Sequence, residues 1–390
     1  MLRTEAVVDL AAISGNVARL NDVAASADVM AVVKADGYGH GLVPSARAAL
    51  AGGATWLGVA IVDEALTLRA AGITAPTLAW LWTPDEGETV AKAVRADVDL
   101  SVSDRWALDV VTGAARDAGR TARIHLKIDT GLSRGGSQRA DWPDLVDAVA
   151  KAQASGEVDV VGVWSHIARA DEPGHPTNLR QVEAFRDALA VAGRAGLAPQ
   201  VRHLANSAAT LTLPEAHFDL VRPGIAVYGL SPVPGDHGLT PAMTLRAQVA
   251  LAKRVPAGEG VSYGHTYTTT RETTLALVPL GYADGIPRAA SNVAPVAING
   301  RTYRISGRVC MDQVVVDVGD DAVAAGDLVV LFGSGRDGEP TAQDWADVLD
   351  TIHYEVVTRI GPRVARTYVG AERATPTVGP GASDSVSGPE

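Results

Sequence analysis

The sequence contains a single cysteine, Cys310, among its 390 residues. A disulfide within one chain needs two cysteines, so a disulfide framework is excluded and a reducing compartment, the cytoplasm, is predicted. Basic residues are in deficit, and a net charge of −11 with no basic stripe argues against nucleic acid as a partner. No apolar run approaches the ~20 residues that span a bilayer, and the N-terminus lacks the apolar core of a signal peptide, so no membrane partner is expected.

The composition is that of a folded globular protein, with 47% hydrophobic and 20% charged residues. Short segments rich in Val, Ile and Leu predict eight parallel strands, at residues 29–34, 56–60, 76–81, 99–102, 123–129, 158–166, 201–206 and 220–230. Amphipathic stretches such as 104–118 and 178–195 lie between them. This alternation predicts an α/β fold, a (β/α)8 TIM-like barrel over residues 1–235. A doubly wound open sheet is the alternative, but no G-x-G-x-x-G follows the first strand.

A change in residue composition marks the end of this predicted barrel. Proline and glycine cluster at residues 231–238, which indicates a boundary loop. Beyond it, short strand-like runs predict a C-terminal mostly-β domain over residues 236–370, at 244–254, 273–279, 293–298, 301–305, 313–318 and 328–332. Asn299-Gly300 between two of these runs is a strong hairpin signal. Residues 371–390 are rich in Pro, Gly and Ser, and we predict a disordered tail.

The segment 29–41 is the strongest candidate for chemistry. A buried strand is predicted to end on Lys34, and Gly37, Gly39 and Gly41 follow at once. An amine at the end of a buried strand would point into a pocket, where desolvation lowers its pKa and favours attack on a carbonyl to form a Schiff base. The alternative is a lysine that extends its charge to solvent.

Further polar residues follow the other predicted strands. Because a barrel holds its active site at the carboxyl ends of the strands, we expect these side chains to converge. They are Tyr38, Lys127, Arg134, His166, Asn206, Ser207, Arg222, Gly224 and Ile225. Ser207 is either a helix cap or part of a phosphate site, and Arg222 either forms a salt bridge or contacts a cofactor. Tyr263 and Tyr282 of the second domain are either packed aromatics or proton carriers.

These motifs resemble those of a known family. Val32-Val-Lys-Ala-Asp-Gly-Tyr-Gly-His-Gly41 resembles the cofactor-lysine motif of bacterial alanine racemases, which are pyridoxal-phosphate enzymes. Other motifs of the family occur in its order, at residues 127–131, 206–207, 222–229, 262–264, 281–285 and 308–312. The resemblance covers about residues 2–369.

The resemblance implies a homodimer whose active sites take groups from both subunits. By position, Lys34 would carry the cofactor. The phosphate would be held by Tyr38, Ser207, Gly224, Ile225 and Tyr354, with Asn206 as a further cofactor contact. Arg222 would face the pyridine nitrogen, Arg134 the phenolic oxygen, and His166 would pack by the ring.

The remaining implied residues concern the substrate. Tyr263, Met311 and Asp312 would come from the partner subunit, Tyr282 would lie near the entrance, and Arg134 would also contact substrate. Lys127 matches a position that is carbamylated in several members of the family, and a carbamate there would orient Arg134.

The implied reaction interconverts L-alanine and D-alanine by proton exchange at the α-carbon of a pyridoxal-phosphate aldimine. The resemblance assigns Lys34 as the base on the D-alanine side and Tyr263 of the partner subunit as the base on the L-alanine side, and the D-alanine would supply peptidoglycan synthesis. Three alternatives stay open: an amino-acid decarboxylase on the same fold, a non-catalytic cofactor-binding protein, and a racemase for serine or another small amino acid. The non-catalytic class resembles the barrel alone, so the second domain argues against it.

Overall fold

The computed structural model describes residues 3–370. Its strands are β1 (Thr4–Asp9), β2 (Asp28–Val32), β3 (Trp56–Val59), β4 (Thr77–Ala79), β5 (Asp99–Val102), β6 (Ala122–Lys127), β7 (Val158–Trp164), β8 (Val201–His203), β9 (Leu220–Val221), β10 (Met243–Gln248), β11 (Leu251–Val255), β12 (Gly260–Val261), β13 (Tyr267–Thr268), β14 (Thr273–Val278), β15 (Pro295–Ile298), β16 (Arg301–Arg304), β17 (Val314–Gly319), β18 (Leu328–Phe332) and β19 (Ala365–Val369).

The α-helices are α1 (Leu10–Ala24), α2 (Lys34–Tyr38), α3 (Leu42–Ala51), α4 (Val62–Ala70), α5 (Gly87–Arg95), α6 (Arg105–Ala118), α7 (Trp142–Ala154), α8 (Pro176–Arg194), α9 (Ser207–Thr212), α10 (Ala342–Leu349) and α11 (His353–Thr358). Within residues 3–370, no helix is both long and apolar enough to cross a membrane. The predicted disordered tail, 371–390, lies outside the described residues.

Strands β2 to β9 form a parallel eight-stranded barrel in the order β8-β7-β6-β5-β4-β3-β2-β9. The seam between its two outer strands is bridged by backbone hydrogen bonds. Asp219 donates to the carbonyl of Arg202 at 3.1 Å, and Arg222 donates to that of Ala205 at 2.9 Å. The barrel predicted from the sequence is therefore confirmed.

Helix α6 shows how the sequence between two barrel strands specifies an amphipathic helix and both of its ends. The Asp104 side chain accepts a hydrogen bond from the amide of Trp106 and caps the first turn. Leu108 and Val111, three residues apart, are buried against the barrel. The helix ends at Ala118, and the next residue, Gly119, has a left-handed φ of 61°, which suits a residue without a Cβ.

The second domain is mostly β, as predicted. Its larger sheet has the order β16-β15-β18-β10-β1-β19, and its smaller sheet has the order β11-β14-β17. The Asn299-Gly300 hairpin is confirmed, because Ile298 pairs with Arg301 and both turn residues have positive φ, as a two-residue type I′ turn requires.

Several strand predictions need correction, and strands β1, β12, β13 and β19 were not predicted. Strand β1 joins the sheet of the second domain by pairing with β10 and β19. The eighth barrel strand was predicted over 220–230, but β9 has two residues and the apolar run Ile225–Tyr228 forms a 3-10 helix. The run 244–254 is two strands in different sheets, because the chain leaves the larger sheet after β10 and enters the smaller one at β11.

Candidate active site

A cavity of about 950 Å³ opens at the carboxyl ends of the barrel strands. Most of the residues predicted for the site line it, so the structure brings them together as the barrel rule requires. They are Lys34, Tyr38, Lys127, Arg134, His166, Asn206, Ser207, Arg222, Gly224, Ile225 and Tyr354.

The walls of this cavity are strongly positive. Its cationic residues are Lys34, Lys127, Arg134 and Arg222, and among the described lining residues there is no Asp or Glu. Burial and then the charge of Arg134 lower the pKa of Lys34, and the same two causes lower the pKa of Lys127 to about 8. Cations held together without a carboxylate need an anionic ligand to offset their repulsion. The cavity therefore fits a molecule with at least one phosphate or carboxylate.

Lys34 begins a turn whose next residues have the left-handed backbone conformation. The prediction that it ends a strand was wrong, since β2 stops at Val32 and Lys34 is the first residue of α2. Ala35, Asp36, Gly37 and Tyr38 then have φ values of 53°, 53°, 62° and 53°. A left-handed conformation costs about 1–2 kcal/mol for each residue with a Cβ, so neighbouring contacts must hold this turn.

The side chain of Glu64 provides one such contact. Its carboxylate accepts hydrogen bonds from the amides of Ala35 at 2.6 Å and Ala60 at 3.0 Å, and so links the chain after β2 to the chain after β3. Asp36 provides another by accepting from the amide of Leu42 at 2.8 Å. Glu64 was not predicted as a site residue, although its place after a strand end was the available signal.

Arg222 is almost fully buried at the base of the cavity. Its Nη2 donates to the carbonyl of Ser165 at 2.7 Å and lies 3.3 Å from Nδ1 of His166. Burial lowers the pKa of Arg222 to about 9, so the group is still a cation at neutral pH. Burial and the charge of Arg222 hold the pKa of His166 well below its usual value, which keeps this imidazole neutral.

Ser207 and Gly224 are in contact at one wall of the cavity. The amide of Gly224 donates to the Ser207 hydroxyl at 2.8 Å, which leaves the hydroxyl proton available to a ligand. A Cβ on Gly224 would fall 2.2 Å from the hydroxyl oxygen of Tyr38, so only glycine lets this hydroxyl approach the backbone here. Asn206 caps α9 by accepting from the amide of Ala209 at 3.0 Å.

Four tryptophans that were not predicted as site residues also line the cavity, Trp80, Trp82, Trp106 and Trp164. Nζ of Lys127 lies 4.3 Å from the ring centre of Trp164, and Cζ of Arg222 lies 4.8 Å from it, so the ring faces both cations. Trp164 ends β7, and that position at a strand terminus was the signal that could have identified it.

The other predicted site residues lie on the second domain and do not line the cavity. Tyr263 is 71% exposed and Met311 is 52% exposed. Tyr282 is joined to the Met311 segment because its amide donates to the carbonyl of Cys310 at 3.0 Å. Asp312 forms an ion pair with Arg363 at 2.8 Å. We call Tyr263, Tyr282, Met311 and Asp312 the exposed patch, and large side chains grouped at a surface are typical of a contact with another molecule.

Comparison with known proteins identifies the family. Residues 8–232 match the family described as "Alanine racemase, N-terminal domain", and residues 242–368 match "Alanine racemase, C-terminal domain". The chain belongs to the alanine racemase family. It is therefore a racemase, which is an isomerase.

Members of the alanine racemase family resemble the chain over nearly its whole length. The alanine racemase of Frankia casuarinae is 64% identical over 373 residues, which cover 94% of this chain and 97% of that protein. The alanine racemase of Thermobifida fusca is 63% identical over 371 residues, which cover 95% of this chain and 99% of that protein. The crystal structure of alanine racemase from D-cycloserine producing Streptomyces lavendulae has a TM-score of 0.93 and 58% identity, covering 95% and 98% of the two chains.

Proposed function

We propose that this racemase interconverts L-alanine and D-alanine with pyridoxal phosphate bound to Lys34, and that it supplies D-alanine for peptidoglycan in the cytoplasm. The observation that carries the proposal is the cavity in which Lys34 meets three further cations and no carboxylate from the described lining residues. A phosphate, a phenolic oxygen and a substrate carboxylate are the anions that this cofactor and substrate would bring.

The residues present fit the cofactor. Ser207, Gly224, Ile225, Tyr38 and Tyr354 would hold the phosphate, and the absence of a Cβ on Gly224 lets the Tyr38 hydroxyl reach this wall of the cavity. Arg222 would face the pyridine nitrogen and Arg134 the phenolic oxygen, while His166 and Asn206 would contact the remaining edge. When it is bound, pyridoxal phosphate makes the α-proton of an amino acid acidic by delocalising the negative charge left behind.

Lys34 and Tyr263 would move the proton. Burial and Arg134 lower the pKa of Lys34, which raises the fraction of neutral amine that can accept a proton at neutral pH. Inversion needs a second carrier on the opposite face of the α-carbon. In a homodimer, Tyr263 of the exposed patch would enter the cavity of the other subunit as that carrier. Met311 and Asp312 would contact the substrate there, and Tyr282 would lie near the entrance.

Chiral analysis of L-alanine incubated with the purified, cofactor-loaded protein tests this function. We expect conversion to an equal mixture of the two enantiomers, and no D-alanine would refute the proposal. Release of labelled carbon dioxide from carboxyl-labelled alanine would instead indicate the decarboxylase. The same assay with L-serine tests the breadth of the substrate.

Replacement of Gly224 by Ala is expected to weaken cofactor binding about tenfold, because an added methyl in a packed site costs about 1–3 kcal/mol. The methyl would displace Tyr38, which is buried and has its ring centre 5.0 Å from that of Tyr228. Titration of the apoprotein with pyridoxal phosphate measures the change. Gly113→Ala is the matched control, since no atom lies within 4 Å of its added Cβ. Equal affinities for both variants would exclude a phosphate at Gly224.

Lys127 is expected to carry a carbamate. Burial and Arg134 lower its pKa to about 8, and a neutral amine adds carbon dioxide to give a carbamate and a proton. In the holoenzyme with ¹³C-bicarbonate, we expect a carbamate carbon signal that rises with pH through about 8, where half of the amine is neutral, and levels off at higher pH as deprotonation becomes complete. The signal should be absent from Lys127→Met, and its persistence in that variant would refute the assignment.

A further inference from the structure

A line of polar side chains crosses the interior of the barrel beneath the cavity. Nη1 of Arg222 lies 3.1 Å from Nδ1 of His203, and Nε2 of His203 lies 2.8 Å from Nδ1 of His125. Nε2 of His125 lies 3.0 Å from Oδ2 of Asp99. Asp99, His125 and His203 are fully buried. Asp99 is the first residue of β5 and His203 the last residue of β8, so the line runs from the amino ends of the strands towards the cavity.

Only one arrangement of protons satisfies these contacts. A guanidinium can only donate, so Nδ1 of His203 accepts and the proton of this neutral imidazole is on Nε2. That proton is donated to Nδ1 of His125, whose own proton is therefore on Nε2 and is donated to the carboxylate of Asp99. A proton on Nδ1 of His203 would face the N–H of Arg222. Both histidines are therefore neutral, and every donor points away from Arg222.

The barrel makes room for this line at two places. A Cβ on Gly162 would fall 2.2 Å from Nδ1 of His125, so the neighbouring strand must have a glycine there. The pairing of β6 with β7 also shifts register between Ile124 and His125, and such irregularities redirect a side chain. Trp164 stacks parallel on His203 with ring centres 5.7 Å apart. The imidazoles are thus held in fixed planes.

The far end of the line is an anchored anion. Burial alone would raise the pKa of Asp99, but the hydrogen bond from His125 and the pairing with Arg123 outweigh it, so the pKa is lowered. Arg123 donates to both oxygens of Asp99, at 2.6 and 3.1 Å. Arg222, by contrast, has no carboxylate within ion-pair distance among residues 3–370, and the acceptors around it are carbonyls and imidazoles. The hydrogen bonds through His203 and His125 therefore connect Arg222 to the negative charge of Asp99.

We propose that Asp99, His125 and His203 are positioning residues that fix the orientation of Arg222 and keep its charge directed at the cofactor ring nitrogen. Each hydrogen bond in the line polarises the next, which strengthens the hold on Arg222. The placement of the ring nitrogen against Arg222 rests on the proposed function, whereas the hydrogen-bond line does not. A cation held there would keep the ring nitrogen unprotonated, which limits the side reaction in which alanine passes its amino group to the aldehyde carbon of the cofactor, leaving pyruvate and the amine form of the cofactor.

Nitrogen NMR of the histidine side chains in the apoprotein tests the line without any substrate. From the hydrogen-bond directions we expect both His125 and His203 to be neutral Nε2–H tautomers, with His125 assigned from the signal lost in His125→Gln. An Nδ1–H tautomer or an imidazolium at either residue would overturn the proposal. The result is independent of whether the chain racemises alanine.

Two substitutions at one buried position separate positioning from packing in the holoenzyme. The amide of His125→Gln can still accept from His203 and donate to Asp99, whereas His125→Leu fills the space but breaks the line. We expect pyruvate formed per racemisation to rise about tenfold in the Leu variant and to change less than about twofold in the Gln variant. Equal ratios in both variants, or a larger change in Gln, would overturn the proposal. The NMR measurement decides even where His125→Leu does not fold.

Discussion

Replacement of Tyr263 by Phe is expected to remove nearly all racemisation while the affinity for pyridoxal phosphate stays unchanged. The loss of one positioned proton carrier lowers a rate by about 10²–10⁴-fold. Cofactor affinity should not change, because Tyr263 is not among the residues proposed to hold the phosphate or the ring, all of which line the cavity of one subunit. Racemisation measured by chiral analysis and cofactor titration of the apoprotein give the two quantities.

Isotope exchange makes this prediction sharper. In deuterated water, Tyr263→Phe should still exchange the α-proton of D-alanine through Lys34, but it should not form L-alanine. Tyr303→Phe is the matched control, since the Tyr303 hydroxyl also belongs to the second domain but hydrogen-bonds to Asp321. Full racemisation by Tyr263→Phe, or an equal loss in Tyr303→Phe, would contradict a role as the second base.

Replacement of Lys34 by Ala is expected to lower the racemisation rate at least about 10³-fold, because the same side chain would bind the cofactor and accept a proton. The covalent bond can be tested directly by reduction with borohydride, which converts the bond between lysine and cofactor into a stable amine. Peptide mass analysis should then find the cofactor on residue 34 of the native protein. Lys92→Ala, at an exposed salt bridge, should behave as the native protein does.

Lys127 provides an internal comparison for this experiment. Its amine lines the same cavity, and burial lowers its pKa as it does that of Lys34. Cofactor found on Lys127 after reduction would contradict the assignment of Lys34, and so would an unchanged racemisation rate in Lys34→Ala.

Local sequence patterns were sufficient to predict the barrel but not all of its strands. The bounds of β5, Asp99–Val102, were predicted correctly because a short apolar run stands between clear helices. Strand β1 was missed because its partners, β10 and β19, lie more than two hundred residues away along the chain. Ile225–Tyr228 was read as strand because an apolar run is equally compatible with a buried 3-10 helix.

The cavity residues were predictable for a different reason. Lys34, Lys127 and Arg222 are charged residues next to apolar runs, and the barrel topology brings the ends of those runs together. The line from Arg222 to Asp99 was not predicted, since its contacts depend on the stagger of strands that are not neighbours in sequence. The polar residue His125 in an apolar strand, with Gly162 opposite, was the available signal.

The central claim is that each active site combines Lys34 of one subunit with Tyr263 of the other, and mixing two inactive variants tests it most directly. If Lys34→Ala and Tyr263→Phe are unfolded together and refolded, half of the dimers should contain one subunit of each kind. Each mixed dimer would then have one intact site, so the mixture should recover about a quarter of the native racemase activity. No recovery, with mixed dimers shown by mass spectrometry, would mean that both residues act within one subunit and would contradict the account.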